Sequence, residues 1–95
     1  MNTKNKVKSK PTPNKKIKEN REGNKFLILH NDDINSFEFV IDTLIEVCKH
    51  DKIQAEQCAF ITHYKGKCDI KVGDYDYLNT FKEQLSSKGL LVTIE

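Results

Sequence analysis

The stretch LHNDDINSFEFVIDTL, residues 29–44, places an amide and two carboxylates between a short apolar run and an amphipathic segment. These polar residues are Asn31, Asp32 and Asp33, whereas a simple turn needs only one such side chain. If the backbone stays extended, Asn31 and Asp33 face one way and Asp32 the other. The stretch therefore predicts either a turn with a helix cap or a set of acceptors that converge on a positively charged group.

Hydrophobic periodicity predicts a strand before this stretch and a helix within it. Residues 25–30 (KFLILH) form a short apolar run that fits a strand buried on both faces. Apolar side chains then recur at helical spacing from about residue 36 to 49. Asn35 is the expected N-cap of this helix, with Glu38 completing a capping box.

The rest of the chain predicts two more helices and two more strands. They are a helix that is capped by Asp51 and stops before Gly66, a strand of alternating polarity through Cys68, Ile70 and Val72, a helix that is capped by Asp74 and ends at Gly89, and a closing strand at 90–95. The order β-α-α-β-α-β indicates an α+β sandwich, in which three helices pack on a small three-stranded antiparallel sheet.

Charge divides the 95-residue chain into two parts. Residues 1–24 carry eight basic and two acidic residues with very few apolar ones, which predicts a disordered basic extension. Residues 25–95 carry eight basic and twelve acidic residues and have enough apolar residues for one core domain. A Lys-rich arm is also typical of small nucleic-acid-binding proteins, so nucleic-acid binding through this arm is the alternative function.

Several classes of protein are not expected from this sequence. The cysteines, Cys48, Cys58 and Cys68, lack the close pairing of a zinc knuckle, so we expect free thiols and a cytoplasmic location. No two histidines have metal-ligand spacing either, so we expect no metal or cofactor. No apolar run approaches the roughly 20 residues that span a bilayer. Ser36 lies in no nucleophile motif, so catalysis is not expected.

His63, in the last turn of the second predicted helix, is the second candidate binding residue. A histidine at this place can simply interact favourably with the carbonyl groups at the helix C-terminus. It can also supply a nitrogen acceptor, which would complement those of Asn31 and Asp33. The sequence at this point leaves both interpretations open.

Three segments together resemble the ClpS family, the adaptors that deliver N-end-rule substrates to ATP-dependent Clp proteases. They are LHNDDINSFEFVIDTL, ITHYKGK at 61–67 and GLLVTIE at 89–95, and the resemblance covers residues 25–95. It implies a module that binds the free α-amino group of an N-degron. The bulky first side chain of the N-degron (Phe, Tyr, Trp or Leu) would bind in an apolar pocket of this module. It also implies docking on the N-terminal domain of a Clp-class AAA+ unfoldase.

The resemblance assigns roles to individual residues. Asn31, Asp33 and His63 match the amine-binding positions, with Asp32 next to them. The positions that match the pocket wall are Ile34, Asn35, Phe37, Val40, Ala59, Thr62 and Leu90. Asp76 matches an acidic position on the surface that docks on the unfoldase, and the extension at 1–24 matches a segment that is presented to the unfoldase.

This chain departs from the family pattern at two pocket positions. Phe37 stands where most relatives carry a methionine that guards the pocket against β-branched side chains, and Ala59 replaces a larger residue. A larger side chain at position 37, where it would guard the pocket, and a smaller one at position 59 would change the shape of the pocket. Phe37 is therefore either such a gate or a plain core residue on the apolar stripe of its helix.

Overall fold

The computed structural model describes residues 24–95. Its elements are β1 (Lys25–His30), α1 (Phe37–Cys48), α2 (Lys52–Lys65), β2 (Lys67–Gly73), α3 (Tyr75–Ser87) and β3 (Leu91–Ile94). The predicted order β-α-α-β-α-β is confirmed. The predicted disordered extension lies, except for its last residue, outside the described residues.

The three strands form one antiparallel sheet in the order β2-β1-β3, as predicted. Its central strand is β1, in which Leu27, Ile28 and Leu29 are all buried. Because β1 pairs on both edges, Leu29 lies opposite Cys68 of β2 and Val92 of β3. The apolar run at 25–30 is thus explained by the central position of its strand.

A β-bulge in β2 breaks the simple alternation that the sequence predicts. Ile70 is an extra residue in β2, opposite the step from Leu27 to Ile28 of β1. Such a residue shifts the register by one and turns the following side chains to the other face. Consequently Ile70 is buried whereas Val72 is 51% exposed, so the prediction that Val72 shares the buried side with Ile70 is wrong.

The N-cap of α1 is Ser36, and the predicted cap at Asn35 is wrong. The Ser36 hydroxyl oxygen accepts a hydrogen bond from the backbone N–H of Phe39 at 3.0 Å. The side-chain amide of Asn35 instead donates to the Asp32 carboxylate and to the carbonyl of Gly89, each at 3.0 Å. Asn35 therefore joins the loop before α1 to the turn before β3.

The predicted caps of the other helices are confirmed. The carboxylates of Asp51 and Asp74 accept from the N–H groups three residues further on, at 2.7 and 2.9 Å. At the end of α2, Gly66 has a φ of 95°, a left-handed conformation that glycine adopts without strain. The carbonyl of Gly66 accepts from the N–H of Asn31 at 2.9 Å, so the end of α2 is fixed to the segment that follows β1.

The core lies between the helices and one face of the sheet. Its largest fully buried side chains are Leu27, Leu29, Leu44, Leu78, Leu85 and Cys48. Helices α1 and α2 pack on each other, α2 also packs on β2, and α3 covers β3 and β1. Each helix thus buries one face and leaves the other to solvent.

The three cysteines are free thiols, as expected. Burial raises the pKa of Cys48 and Cys58, and it raises the pKa of Cys68 to about 12. None of the three is therefore poised as a thiolate nucleophile at neutral pH. Within residues 24–95, no group of three metal-ligating side chains occurs and no helix has the length and apolar character of a membrane span.

Candidate functional site

The pairing of β1 with β2 brings the two candidate segments together. His30, the last residue of β1, lies opposite Lys67, the first residue of β2. Asn31 therefore follows β1 directly beside Gly66, and His63 lies one helical turn before Gly66. As a result, Asn31 and His63 line the same cleft, which has a volume of about 630 Å³.

Most of the predicted site residues line this cleft. They are Asn31, Asp32, Asp33, Asn35, Phe37, Val40, Ala59, Thr62 and His63. Four further residues that were not predicted complete the lining, namely Leu29, His30, Phe60 and Tyr64. Two segments that are thirty residues apart in sequence thus form one concave surface, with polar groups at one side and apolar groups at the other.

The polar side of the cleft carries three hydrogen-bond acceptors. The side chains of Asn31, Asp33 and His63 are exposed, and they form no hydrogen bond with other side chains or backbone groups of residues 24–95. An amide oxygen, a carboxylate and an imidazole nitrogen can each accept from an N–H donor. An α-ammonium group has three such donors and no acceptor, so it complements this set chemically.

Asp32 differs from its neighbours because its carboxylate is already engaged in the loop. It accepts from the N–H groups of Ile34 and Asn35 at 2.8 Å each, and from the side-chain amide of Asn35 at 3.0 Å. Partial burial acts to raise the pKa of Asp32, but these hydrogen bonds outweigh it and hold the pKa below the ordinary value of 3.8. The stretch therefore contains both features that the sequence suggested, a turn built on Asp32 and a pair of acceptors beside it.

We predict that Asp32→Ala lowers the free energy of unfolding by about 1–2 kcal/mol, because three hydrogen bonds to one charged carboxylate are lost. Urea denaturation at pH 7 measures this effect, and Asp33→Ala, which removes a carboxylate without hydrogen bonds in the described residues, is the matched control. Since the folded-state pKa is lowered, the stabilisation is complete above the ordinary value of 3.8 and is lost as the pH falls through the lowered value. Equal stability of the two variants at pH 7 would contradict this account of the loop.

The apolar side of the cleft is formed by the buried residues Leu29, Ala59 and Thr62 together with the half-buried Val40. The Thr62 hydroxyl donates to the carbonyl of Cys58 at 2.8 Å, so its polar group is satisfied within α2. These side chains offer an incoming apolar group a surface without unpaired polar atoms. Ala59 keeps this part of the cleft open because its side chain is a single methyl group.

Phe37 lies at the mouth of the cleft. Its side chain is 43% exposed, so the interpretation of Phe37 as a plain core residue is wrong. Its ring meets the His63 imidazole edge to face, with 6.4 Å between the centroids. Phe37 therefore lies beside His63 in the lining of the cleft.

Two residues that were predicted to form the pocket wall are not among those that line the cleft. Ile34 is 90% exposed, because the turn built on Asp32 directs this residue to solvent. Leu90 is buried in the core, and its N–H donates to the carbonyl of Leu85 at 3.1 Å. Asp76 is exposed in the first turn of α3 and also lies outside the cleft.

Two aromatic residues on the rim of the cleft were not predicted from the sequence. Phe60 and Tyr64 are one turn apart on α2, and their ring centroids lie 4.5 Å apart. The Tyr64 ring also meets the His63 imidazole edge to face at 4.7 Å. The sequence does contain two aromatic residues at i and i+4 next to His63, and this helical spacing could have predicted that they lie together beside it.

Comparison with known proteins identifies a family and a solved structure of similar fold. Residues 21–93 match the family model described as ATP-dependent Clp protease adaptor protein ClpS. The solved structure of Agrobacterium tumefaciens ClpS2 bound to L-phenylalaninamide superimposes with a TM-score of 0.75 at 23% sequence identity, and the match covers 79% of this chain and 98% of that chain. At this identity the likeness shows the shared fold. No curated protein matches the chain significantly.

Proposed function

The chain belongs to the ClpS family of ATP-dependent Clp protease adaptor proteins, and on that premise we propose that it binds N-degrons through the cleft between β1 and α2. It recognises the free α-amino group and a bulky hydrophobic first side chain (Phe, Tyr, Trp or Leu), and it delivers the substrate to a Clp-class AAA+ unfoldase. The observation that carries this proposal is the cleft itself, in which three acceptors without hydrogen bonds in residues 24–95 and a set of apolar side chains line one concave surface.

Asn31, Asp33 and His63 bind the α-ammonium group in this proposal. Each well-made hydrogen bond to a charged group contributes about 1.5–3 kcal/mol. The site lies next to a helix N-terminus, which repels a cation on the helix axis, so the ammonium group sits to one side among these side chains. Asp32 contributes by stabilising the loop before α1, since its carboxylate already accepts hydrogen bonds from Ile34 and Asn35.

The first side chain of the substrate occupies the apolar side, against Val40, Ala59 and Thr62, with Phe37 at the entrance. Burying an aromatic or leucine side chain contributes about 1.5–3 kcal/mol. Because association itself is costly, both halves are needed for the micromolar affinity that we expect, roughly −8 kcal/mol. The L-phenylalaninamide bound to Agrobacterium tumefaciens ClpS2 combines a free α-amino group with an aromatic side chain, and this supports the assignment.

Delivery requires a second surface, and we assign it to α3 around Asp76. Asp76 is exposed, and its neighbours Tyr75 and Tyr77 expose about half of their surface. The partner proposed for this surface is the N-terminal domain of the unfoldase. Residues 1–24 are presented to the same unfoldase in this proposal. A cytoplasmic location fits the three free thiols, which persist in a reducing compartment.

The protein acts by binding in this proposal, without catalysis of its own. Nucleic-acid binding, the alternative function, would depend on the Lys-rich residues 1–24, nearly all of which lie outside the described residues. The described domain carries more acidic than basic residues, which does not favour a phosphate backbone. No observation on residues 24–95 supports that alternative.

The experiment that tests the proposed function compares first residues. Fluorescence anisotropy measures the affinity for a labelled peptide that begins with Phe and for one that begins with Ala, both with a free α-amino group. We expect the Phe peptide to bind roughly tenfold or more tightly, because only its side chain fills the apolar side of the cleft. Equal affinity of the two peptides would contradict the proposal.

A further inference from the structure

His63 has an exposed imidazole ring whose orientation no hydrogen bond fixes within residues 24–95. The histidine side chains that do form hydrogen bonds there are those of His30 and His50, at 2.8 and 3.1 Å. A histidine side chain without such a partner samples several χ1 rotamers and a broad range of χ2. Its nitrogen lone pair would then point at a ligand only part of the time, so this acceptor needs another restraint.

Two aromatic rings contact this imidazole. The ring of Phe37, in α1, has its centroid 6.4 Å from that of His63, and the two ring planes meet at 87°. The ring of Tyr64, the next residue in α2, lies 4.7 Å away, also at 87°. Both pairs have the perpendicular arrangement and the separation of about 4.5–7 Å that aromatic pairs favour. The His63 ring is thus contacted from two elements of the fold, α1 and α2.

The Tyr64 ring is itself packed against a neighbour on α2. Its side chain is 68% exposed, and its hydroxyl group forms no hydrogen bond within the described domain. Phe60 lies one helical turn earlier, and the centroids of the two rings are 4.5 Å apart. Phe37, Phe60, His63 and Tyr64 therefore form one aromatic cluster at the surface, in which each ring contacts at least one other.

We propose that Phe37 and Tyr64 are positioning residues, which hold the imidazole of His63 in the orientation that presents a nitrogen to the ammonium group of the substrate. The inference rests on the proposed function, because it takes His63 as one of the three acceptors. Ring contacts suit this task, since they restrict the imidazole without a hydrogen bond to its acceptor nitrogen. That nitrogen therefore stays available to the substrate.

The first test measures the χ1 rotamer of His63 in the full chain without ligand, from the three-bond couplings between its Hα and Hβ protons. Tyr64→Leu removes one of the two contacting rings, and the double variant Phe37→Leu/Tyr64→Leu removes both. Tyr64→Phe keeps the ring. The control Phe39→Leu removes a partly exposed ring of α1 that does not line the cleft. Thermal unfolding of each variant confirms that the fold is retained.

We expect the couplings of a single rotamer in the unmodified protein, in Tyr64→Phe and in Phe39→Leu. The couplings should move towards rotamer-averaged values in Tyr64→Leu and should reach them in the double variant, because both aromatic contacts of His63 are then lost. Single-rotamer couplings that persist in the double variant would overturn the inference.

The second test measures the affinity for a labelled Phe peptide in a double-mutant cycle of Tyr64→Leu and His63→Ala. Tyr64→Leu alone should weaken binding about three- to tenfold, whereas Tyr64→Phe should change it less than about twofold. In the His63→Ala background, Tyr64→Leu should change the affinity by less than about twofold, since no imidazole remains to be positioned. An equally large loss in both backgrounds would overturn the inference, because Tyr64 would then contact the peptide itself.

The two measurements separate the inference from the proposed function. The couplings are recorded without a peptide, so they decide whether the two rings hold His63 even if no N-degron binds. Suppose that the Phe peptide fails to bind the unmodified protein, although His63 has a single rotamer that the double variant loses. This result would contradict the proposed function and would still support the restraint of His63 by Phe37 and Tyr64.

Discussion

N-terminal acetylation of a Phe-initiated peptide should weaken its binding to this protein by about 100-fold or more. Acetylation removes the positive charge and leaves a single N–H donor where the ammonium group had three. At least two charge-assisted hydrogen bonds to Asn31, Asp33 or His63 are lost, at about 1.5–3 kcal/mol each. Because each 1.4 kcal/mol is a factor of ten in affinity, the expected loss exceeds 100-fold.

Competition against a labelled Phe peptide measures this loss, with C-terminal amidation of the same peptide as the control. Amidation removes a charge at the other end, where the proposal places no contact that depends on it, and should change the affinity less than twofold. Acetylated and free peptides that compete equally would show that the apolar side of the cleft alone binds the peptide.

The charge reversal Asp33→Lys should be the most damaging single substitution in the cleft. In the proposed site, this substitution replaces a carboxylate acceptor of the ligand's ammonium group with a second ammonium group. The loss of one charge-assisted bond, about 1.5–3 kcal/mol, adds to a repulsion of about 1 kcal/mol for two charges at 4 Å in water. The expected loss of affinity for a Phe peptide is therefore about 100-fold.

Asp69→Lys is the matched control, since Asp69 is an exposed aspartate on β2 that does not line the cleft. The control makes the same change in net charge and should keep the affinity within about threefold. Both variants should unfold at similar urea concentrations, because neither aspartate side chain forms a hydrogen bond within residues 24–95. An Asp33→Lys protein that binds as well as the control would remove Asp33 from the ammonium site.

The sequence predicts the helix ends well where they depend only on residues that are near in sequence. Asp51 and Asp74 cap α2 and α3 as expected, because each has an unengaged carboxylate three residues before the N–H group it accepts from. Asn35 and Ser36 are adjacent residues that can both cap α1, and the choice between them depends on the other partners of Asn35. Its side-chain amide donates to the nearby Asp32 carboxylate and to the carbonyl of Gly89, and no local pattern contains the second contact.

The β-bulge at Ile70 has the same kind of cause. Alternation along β2 predicts Ile70 and Val72 on one face, but the extra residue is set by the pairing with β1. A bulge shifts the pattern by one residue without changing the composition of the strand. The solvent exposure of Val72 could therefore be known only from the paired sheet.

The polar side of the cleft could be predicted because it lies at strand and helix ends. Antiparallel pairing of β1 with β2 fixes Asn31 beside Gly66, and the helix periodicity then places His63 one turn away. The apolar half was less predictable. Leu90 packs into the core and Phe60 lines the cleft, since the direction of each side chain depends on how α2 and the turn before β3 pack.

The central claim, that an α-ammonium group binds between Asn31 and His63, is tested most directly by nuclear magnetic resonance on the ¹⁵N-labelled protein. Phenylalaninamide and N-acetylphenylalaninamide are titrated separately while the side-chain amide of Asn31 and the ring nitrogens of His63 are observed. We predict that phenylalaninamide shifts both sets of signals together and that the acetylated compound shifts neither. Shifts of the same size with both compounds, or phenylalaninamide binding that leaves Asn31 and His63 unperturbed, would contradict the account.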